Sequence, residues 1–119
     1  MHKVEIDVGA IQNKISAGSS FDGTIICAEG LLIEGTFTGQ AIVINGPLMV
    51  LDGGCMSGTI HCDGDVFVLG RIAPKSTGEL SEITSSKTIH LGMTSHVAAH
   101  ITAPEVITYE GAFLEGEPS

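Results

Sequence analysis

Basic residues are scarce in this sequence. Five Lys and Arg stand against fourteen Asp and Glu, for a formal net charge of −9. That field repels a phosphate backbone, so no nucleic-acid partner is expected. Anionic lipid gains little from it either, with only His2, Lys3 and Lys14 near the start. Long apolar runs are missing as well: none approaches the roughly 18 residues of a membrane-spanning helix. Met1–Lys14 alternates polar and apolar residues, without the basic head and apolar block of a secretory signal. The expectation is a soluble, cytoplasmic chain. Disorder is excluded, because hydrophobic residues make up 43% and charged residues only 16% of the 119 positions.

Motifs for chemistry are also lacking. Neither GxxxxGK[ST] nor a GxGxxG before a helix occurs, so nucleotide binding has no sequence basis. No GxSxG elbow is present. No segment carries an i, i+3, i+4, i+7 apolar stripe over eleven or more residues, which removes helices from the expected fold. The best helical stretch, Glu79–Ser85, is too short to matter.

The residues that are present favour strands and turns. Ile (14), Thr (10) and Val (8) are numerous, and Gly numbers 16. One short frame recurs: a large apolar residue, a small or polar one, then usually Gly or Ala. Its leaders are Phe21, Phe37, Met56, Ile72, Val97 and Phe113, spaced 16, 19, 16, 25 and 16 residues apart. The value 25 equals 19 plus 6 and spans the polar stretch Lys75–Lys87, which predicts a six-residue insertion. Apolar strands opening after Gly30, Gly46, Gly64, Lys87 and Pro104 keep the same beat, at spacings of 16, 18, 23 and 17. Pairs sum to 35 residues: Phe21 to Met56, Phe37 to Ile72, Gly23 to Gly58, Gly35 to Gly70 and Ile25 to Ile60.

A unit of this size cannot bury its own apolar face, and stacked coils of such units can. The expected fold is all-β, a single-domain parallel β-helix (β-solenoid) of about six coils. At roughly 4.8 Å per coil the rod is on the order of 30 Å long. An immunoglobulin-like sandwich also has short strands and regular turns, but its strands keep no constant residue-by-residue register. Corner Gly residues sit where a close turn is wanted.

Few residues invite catalysis. Cys27 and Cys62 are 35 apart, hence two coils apart and about 10 Å from each other, too far for a disulfide. Cys55 has another phase, and with no CxxC the three thiols read as reduced and structural. His90, His96 and His100 suggest a zinc site of the kind that left-handed β-helix enzymes build between coils. Against this, His61 aligns with Ile26 and Thr102, whereas His100 aligns with Thr24 and Thr59, so they share no point. Positions 44, 50, 56, 62 and 68 fall six apart, yet the Gly of a hexapeptide repeat does not follow them. Asp63 and Asp65 around Gly64, and Glu115 and Glu117 around Gly116, read as solvated corner charges. No catalytic, metal or cofactor residue is therefore assigned.

The two ends of the stack remain. A first and a last coil expose unpaired strand backbone, which invites pairing with another molecule. The alternation Val4, Glu5, Ile6, Asp7, Val8 suggests one more strand before the first copy, and Glu115, Glu117 and Pro118 could blunt the other edge. Candidate self-assembly residues are Phe21 on the first copy and Tyr109 and Phe113 on the last. A polar substitution at Tyr109 or Phe113 should block assembly and spare the fold.

The run LLIEGTFTGQAIVINGPLMVLDGGCMSGTI (31–60) and the ending ITYEGAFLEGE (107–117) resemble the bactofilins, polymer-forming bacterial cytoskeletal proteins. The family pattern apolar-x-Ile-Glu-Gly-x-Phe-x-Gly stands here as Leu31 through Gly39. Its closing Gly-Ala-x-Phe-x-Gly is approximated by Gly111, Ala112, Phe113 and Gly116. The likeness runs from about Ile15 to Glu117 and departs where Lys75–Lys87 and Val97–Ile101 lack regular Gly corners. It implies a right-handed β-helix over 15–117, between an N-terminal segment 1–14 and a tail 118–119. It also implies end-to-end polymerisation without nucleotide or metal, and a scaffold that positions cell-wall enzymes or other partners, at the inner face of the membrane in many members. Two other readings stand beside it: a zinc hydratase or acyltransferase using His90, His96 or His100, and a monomeric acidic module that recruits a basic partner.

Overall fold

The structure, a computed structural model, describes residues 13–115. Among the described residues there are thirteen strands and no helix. The expected extra strand at Val4–Val8, and Gly116, Glu117 and Pro118, lie outside the described residues.

The chain winds through six coils, each a short strand followed by a longer one. They are β1 (Asn13–Ile15) with β2 (Ser20–Cys27), β3 (Leu31–Ile33) with β4 (Thr36–Val43), and β5 (Leu48–Val50) with β6 (Cys55–Cys62). The fourth coil holds β7 (Val66–Val68), β8 (Arg71–Ala73) and β9 (Ser81–Ser85). The last two are β10 (Thr88–Leu91) with β11 (His96–Thr102), and β12 (Glu105–Thr108) with β13 (Phe113–Glu115). Short strands build one sheet in the order β1-β3-β5-β7-β10-β12; long strands build the other in the order β2-β4-β6-β8-β11-β13, with β9 between β6 and β11. Every pairing is parallel. A solenoid achieves this without crossover helices, because each turn returns the chain to the same edge. The stack measures 34 × 27 × 22 Å.

Alternation decides what is buried. Along β4, Phe37, Ala41 and Val43 point inward with Gly39 between them; β6 repeats this with Met56, Gly58, Ile60 and Cys62. The Gly column takes the bend that turns one long strand into two sides of the coil, at φ of 144° (Gly23), 131° (Gly39) and 127° (Gly58). A Cβ at Gly39 would collide with the carbonyl oxygen of Gly23, and one at Gly58 with that of Gly39. The ladders run Phe21–Phe37–Met56–Ile72–Val97, as the spacing predicts up to Val97, and Ile25–Ala41–Ile60–Ile83–Ile101, which adds Ala41 and Ile83 to the expected Ile column. All but Phe21 are buried.

The insertion differs from expectation in size and place. β8 continues the first half of β6 (Ser57 opposite Ala73), and β9 the second half (Thr59 opposite Glu82). The offset rises from 16 to 23, so seven residues are inserted, and they are 74–80. Ser81–Ser85 belongs to the sheet, including most of the stretch that carried the weak helical signal. Ser81 and Ala99 occupy the corner where Gly stands in earlier coils. The fully buried Ser81 hydroxyl donates to the Ala73 carbonyl (2.6 Å) and accepts from the Gly58 N–H (2.9 Å), stitching the loop's base to the coil below.

Candidate functional site

Backbone pairing stops at the two ends of the stack. Among the described residues, β1 and β2 are paired on one side only, as are β12 and β13. Each end also finishes an apolar column. At the first coil Phe21 is only partly buried and its ring stacks on Phe37, centroids 5.6 Å apart at 19°. At the last coil Leu114 lies opposite Val97, again partly exposed, beside the partly exposed Val106 and Ala112. One more coil laid on either end would pair the free edge and cover these side chains together.

Phe113 was expected to close the first ladder, and the structure corrects this. Leu114 faces Val97, while Phe113 faces His96 and points outward, 51% exposed. A one-residue slip moves a side chain to the other face of a sheet. The signal was available: the offset of 17 between the last two short strands (Ile89 to Val106), applied to Val97, gives Leu114. Tyr109 is likewise 51% exposed, at the rim of the last coil. Phe21 belongs to the first coil, so one molecule brings Tyr109 and Phe113 together on its last coil and leaves Phe21 at the opposite end.

The histidines do not converge. His90 belongs to the short-strand sheet and stacks on Phe67 (4.4 Å, 7°), whereas His96 packs against Phe113 (4.5 Å). His100 stands beyond the corner of β11, opposite Glu82. Among the described residues, no group of three or more His, Cys, Asp and Glu side chains is placed to hold a metal ion. The predicted alignments of His61 with Ile26 and Thr102, and of His100 with Thr59 and Thr24, are those of the sheet. Asp63 and Asp65 have corner duties: Asp63 accepts from the Ser86 hydroxyl (2.6 Å) and Asp65 from the Thr88 N–H (3.3 Å). Cys27 and Cys62 are two coils apart with Val43 between them. Burial pushes the Cys62 thiol up to about 11, with the Asp63 and Asp65 carboxylates adding to the rise.

A family model described as bactofilin, polymer-forming cytoskeletal, matches residues 13–119. The chain belongs to the bactofilins. Comparison with curated proteins and with solved structures gave no match. This bactofilin is thus a member of a structural, polymer-forming cytoskeletal family, built as a β-solenoid. Among its described residues, no helix is long and apolar enough to cross a membrane.

Proposed function

We propose that this bactofilin polymerises end to end through its terminal coils, without nucleotide, into a cytoplasmic scaffold that positions partners such as cell-wall enzymes. The observation carrying this reading is the coincidence, at each end of the described residues, of an unpaired strand edge with an unfinished apolar column. Strand edges pair with strand edges of matching register, and the coil repeat supplies that register from one copy to the next. Phe21 at one end, and Leu114 with Tyr109 and Phe113 at the other, line the proposed joint. Membrane-face placement is part of the same proposal and rests on the family resemblance alone.

The test is sedimentation and negative-stain electron microscopy without added nucleotide, on the wild type and on Leu114→Asp and Phe113→Asp. The wild type should form filaments or sheets. The variants should stay in the supernatant while keeping the wild-type β-type circular dichroism. Polymers undiminished in both variants would place the joint elsewhere, and a wild type that remains monomeric would remove the reading.

A further inference from the structure

The outer face of the short-strand sheet is unlike the rest of the surface. The inward residues of β3, β5 and β7 are fully buried, and the single outward residue of each is partly exposed. Those outward residues stack in one column: Lys14, Leu32, Met49, Phe67, His90 and Ile107. The five outward side chains from Leu32 to Ile107 include no carboxylate and no permanent cation, and Asp65, Lys87 and Glu105 border the column along one edge. In a chain of net charge −9 that is an unusual place. Leu51 and Leu69, partly exposed at the neighbouring corner, widen the stripe, and Leu69 lies over Gly92 of the next coil.

The other two sides are different. Their outward columns hold Asp22, Glu82, Glu115, Arg71, His61, His96 and His100 among Thr, Ser and Gln, with Ile26, Ile42 and Phe113 as the large apolar members. The inserted loop 74–80 stands at the corner these two sides share, fixed by the Lys75–Glu82 ion pair (3.0 Å). A flat partner therefore has one unobstructed face to lie on.

We propose that this face is the seam along which two polymers of this same chain lie side by side. The inference rests on the end-to-end reading above. A second copy suits the stripe because it offers an equally long column of uncharged side chains, and it is the approach that keeps the Asp- and Glu-bearing long-strand sides of two copies apart. Phe67 is the middle rung of the five, so a two-fold axis through it, along or across the rod, sets Phe67 against Phe67. Size sets the regime. Five rungs span roughly 20 Å, and a strip about 12 Å wide gives on the order of 250 Å² per copy, against about 800 Å² per partner in a stable complex. Two monomers fall short of that. Two polymers repeat the contact at every subunit, and its effect multiplies along the seam.

The experiment uses the full chain in two arms. In Phe67→Ser the outward ring is lost, so filaments should persist singly and paired or sheet-like forms should disappear from micrographs. In Met49→Cys on a Cys55→Ser background, a bis-maleimide with a reach of about 10 Å should capture covalent dimers in the polymer fraction, since that spans two rungs. The yield should exceed by several-fold that of the wild type, whose Cys55 reports on an adjacent face, and should collapse on dilution below the polymerisation threshold. Polymers that form normally without the Met49→Cys crosslink, or that pair as before in Phe67→Ser, overturn the seam and leave end-to-end assembly intact. A chain that never polymerises removes both. Flotation with phosphatidylglycerol vesicles that is lost in Phe67→Ser, with no crosslink formed, assigns the stripe to lipid and also overturns it.

Discussion

Two kinds of glycine with positive φ occur in this bactofilin, and they predict different costs. Gly39 and Gly58 combine φ of +131° and +127° with backbone carbonyls of the preceding coil where a Cβ would go. Gly18 and Gly53 have φ of +81° and +93°, yet nothing lies within 4 Å of a Cβ there. Gly18→Ala and Gly53→Ala should lose about 1 kcal/mol, the cost of a left-handed backbone alone. Gly39→Ala and Gly58→Ala should lose roughly 3 kcal/mol or more, because a rigid neighbour must also move. Urea unfolding in a non-polymerising background reads the difference, and equal losses would mean that the coils separate freely at this corner. The thiols divide in the same residue-by-residue way. Cys55 is partly exposed, whereas Cys62 is buried with its thiol pushed up to about 11. Maleimide at neutral pH should therefore modify Cys55 first and reach Cys62 only when the protein is unfolded; mass spectrometry of quenched samples would show the reverse order if the third coil opens locally.

At the scale of the element, the fourth coil shows how a solenoid accepts an insertion without losing register. Because Ser81 takes the column position of Gly58, its hydroxyl does work that no side chain does in earlier coils. Ser81→Ala leaves the Gly58 N–H and the Ala73 carbonyl without that partner in a buried setting, and should cost about 1–3 kcal/mol. Deleting residues 74–80 together with Ser81→Gly restores the geometry of the third coil and should leave stability within about 1 kcal/mol. The deletion with Ser81 retained should do worse, and equal stability of the two would argue that the corner has no need of Gly. The spacing of 16 and 19 residues was legible because equivalent residues of a solenoid recur at fixed intervals, whatever their type. The extent of the insertion was not, since Ser81–Ser85 (SEITS) is polar enough to read as loop although Ile83 is fully buried. Phe113 and Leu114 are both large and apolar, so composition could not say which one faces inward. The outer stripe was hidden for a related reason: LLI, LMV and VFV read as continuously buried strands, while only their first and third residues are buried.

The whole molecule sets a conflict between contact and charge. Joining two copies brings together rods of net charge −9, and the last coil contributes Glu105, Glu110 and Glu115 and no Lys or Arg of its own. At about 0.01 M salt the screening length is roughly 30 Å, comparable to the 34 Å extent of the molecule, so one copy feels the full charge of the next. At about 0.15 M it is roughly 8 Å, and only groups near the joint still repel. The apolar columns and strand edges of the proposed joint are not weakened by salt over this range. The pelleted fraction at fixed protein concentration should therefore rise between those two salt concentrations and then level off. Neutralising the last coil by Glu105→Gln, Glu110→Gln and Glu115→Gln should flatten the rise, mostly at the low-salt end. Sedimentation across a salt series decides it. Polymers that dissolve as salt increases would mean that ion pairs hold the copies together, and the backbone edges and the Phe21 and Leu114 columns would then have to be abandoned as the joint.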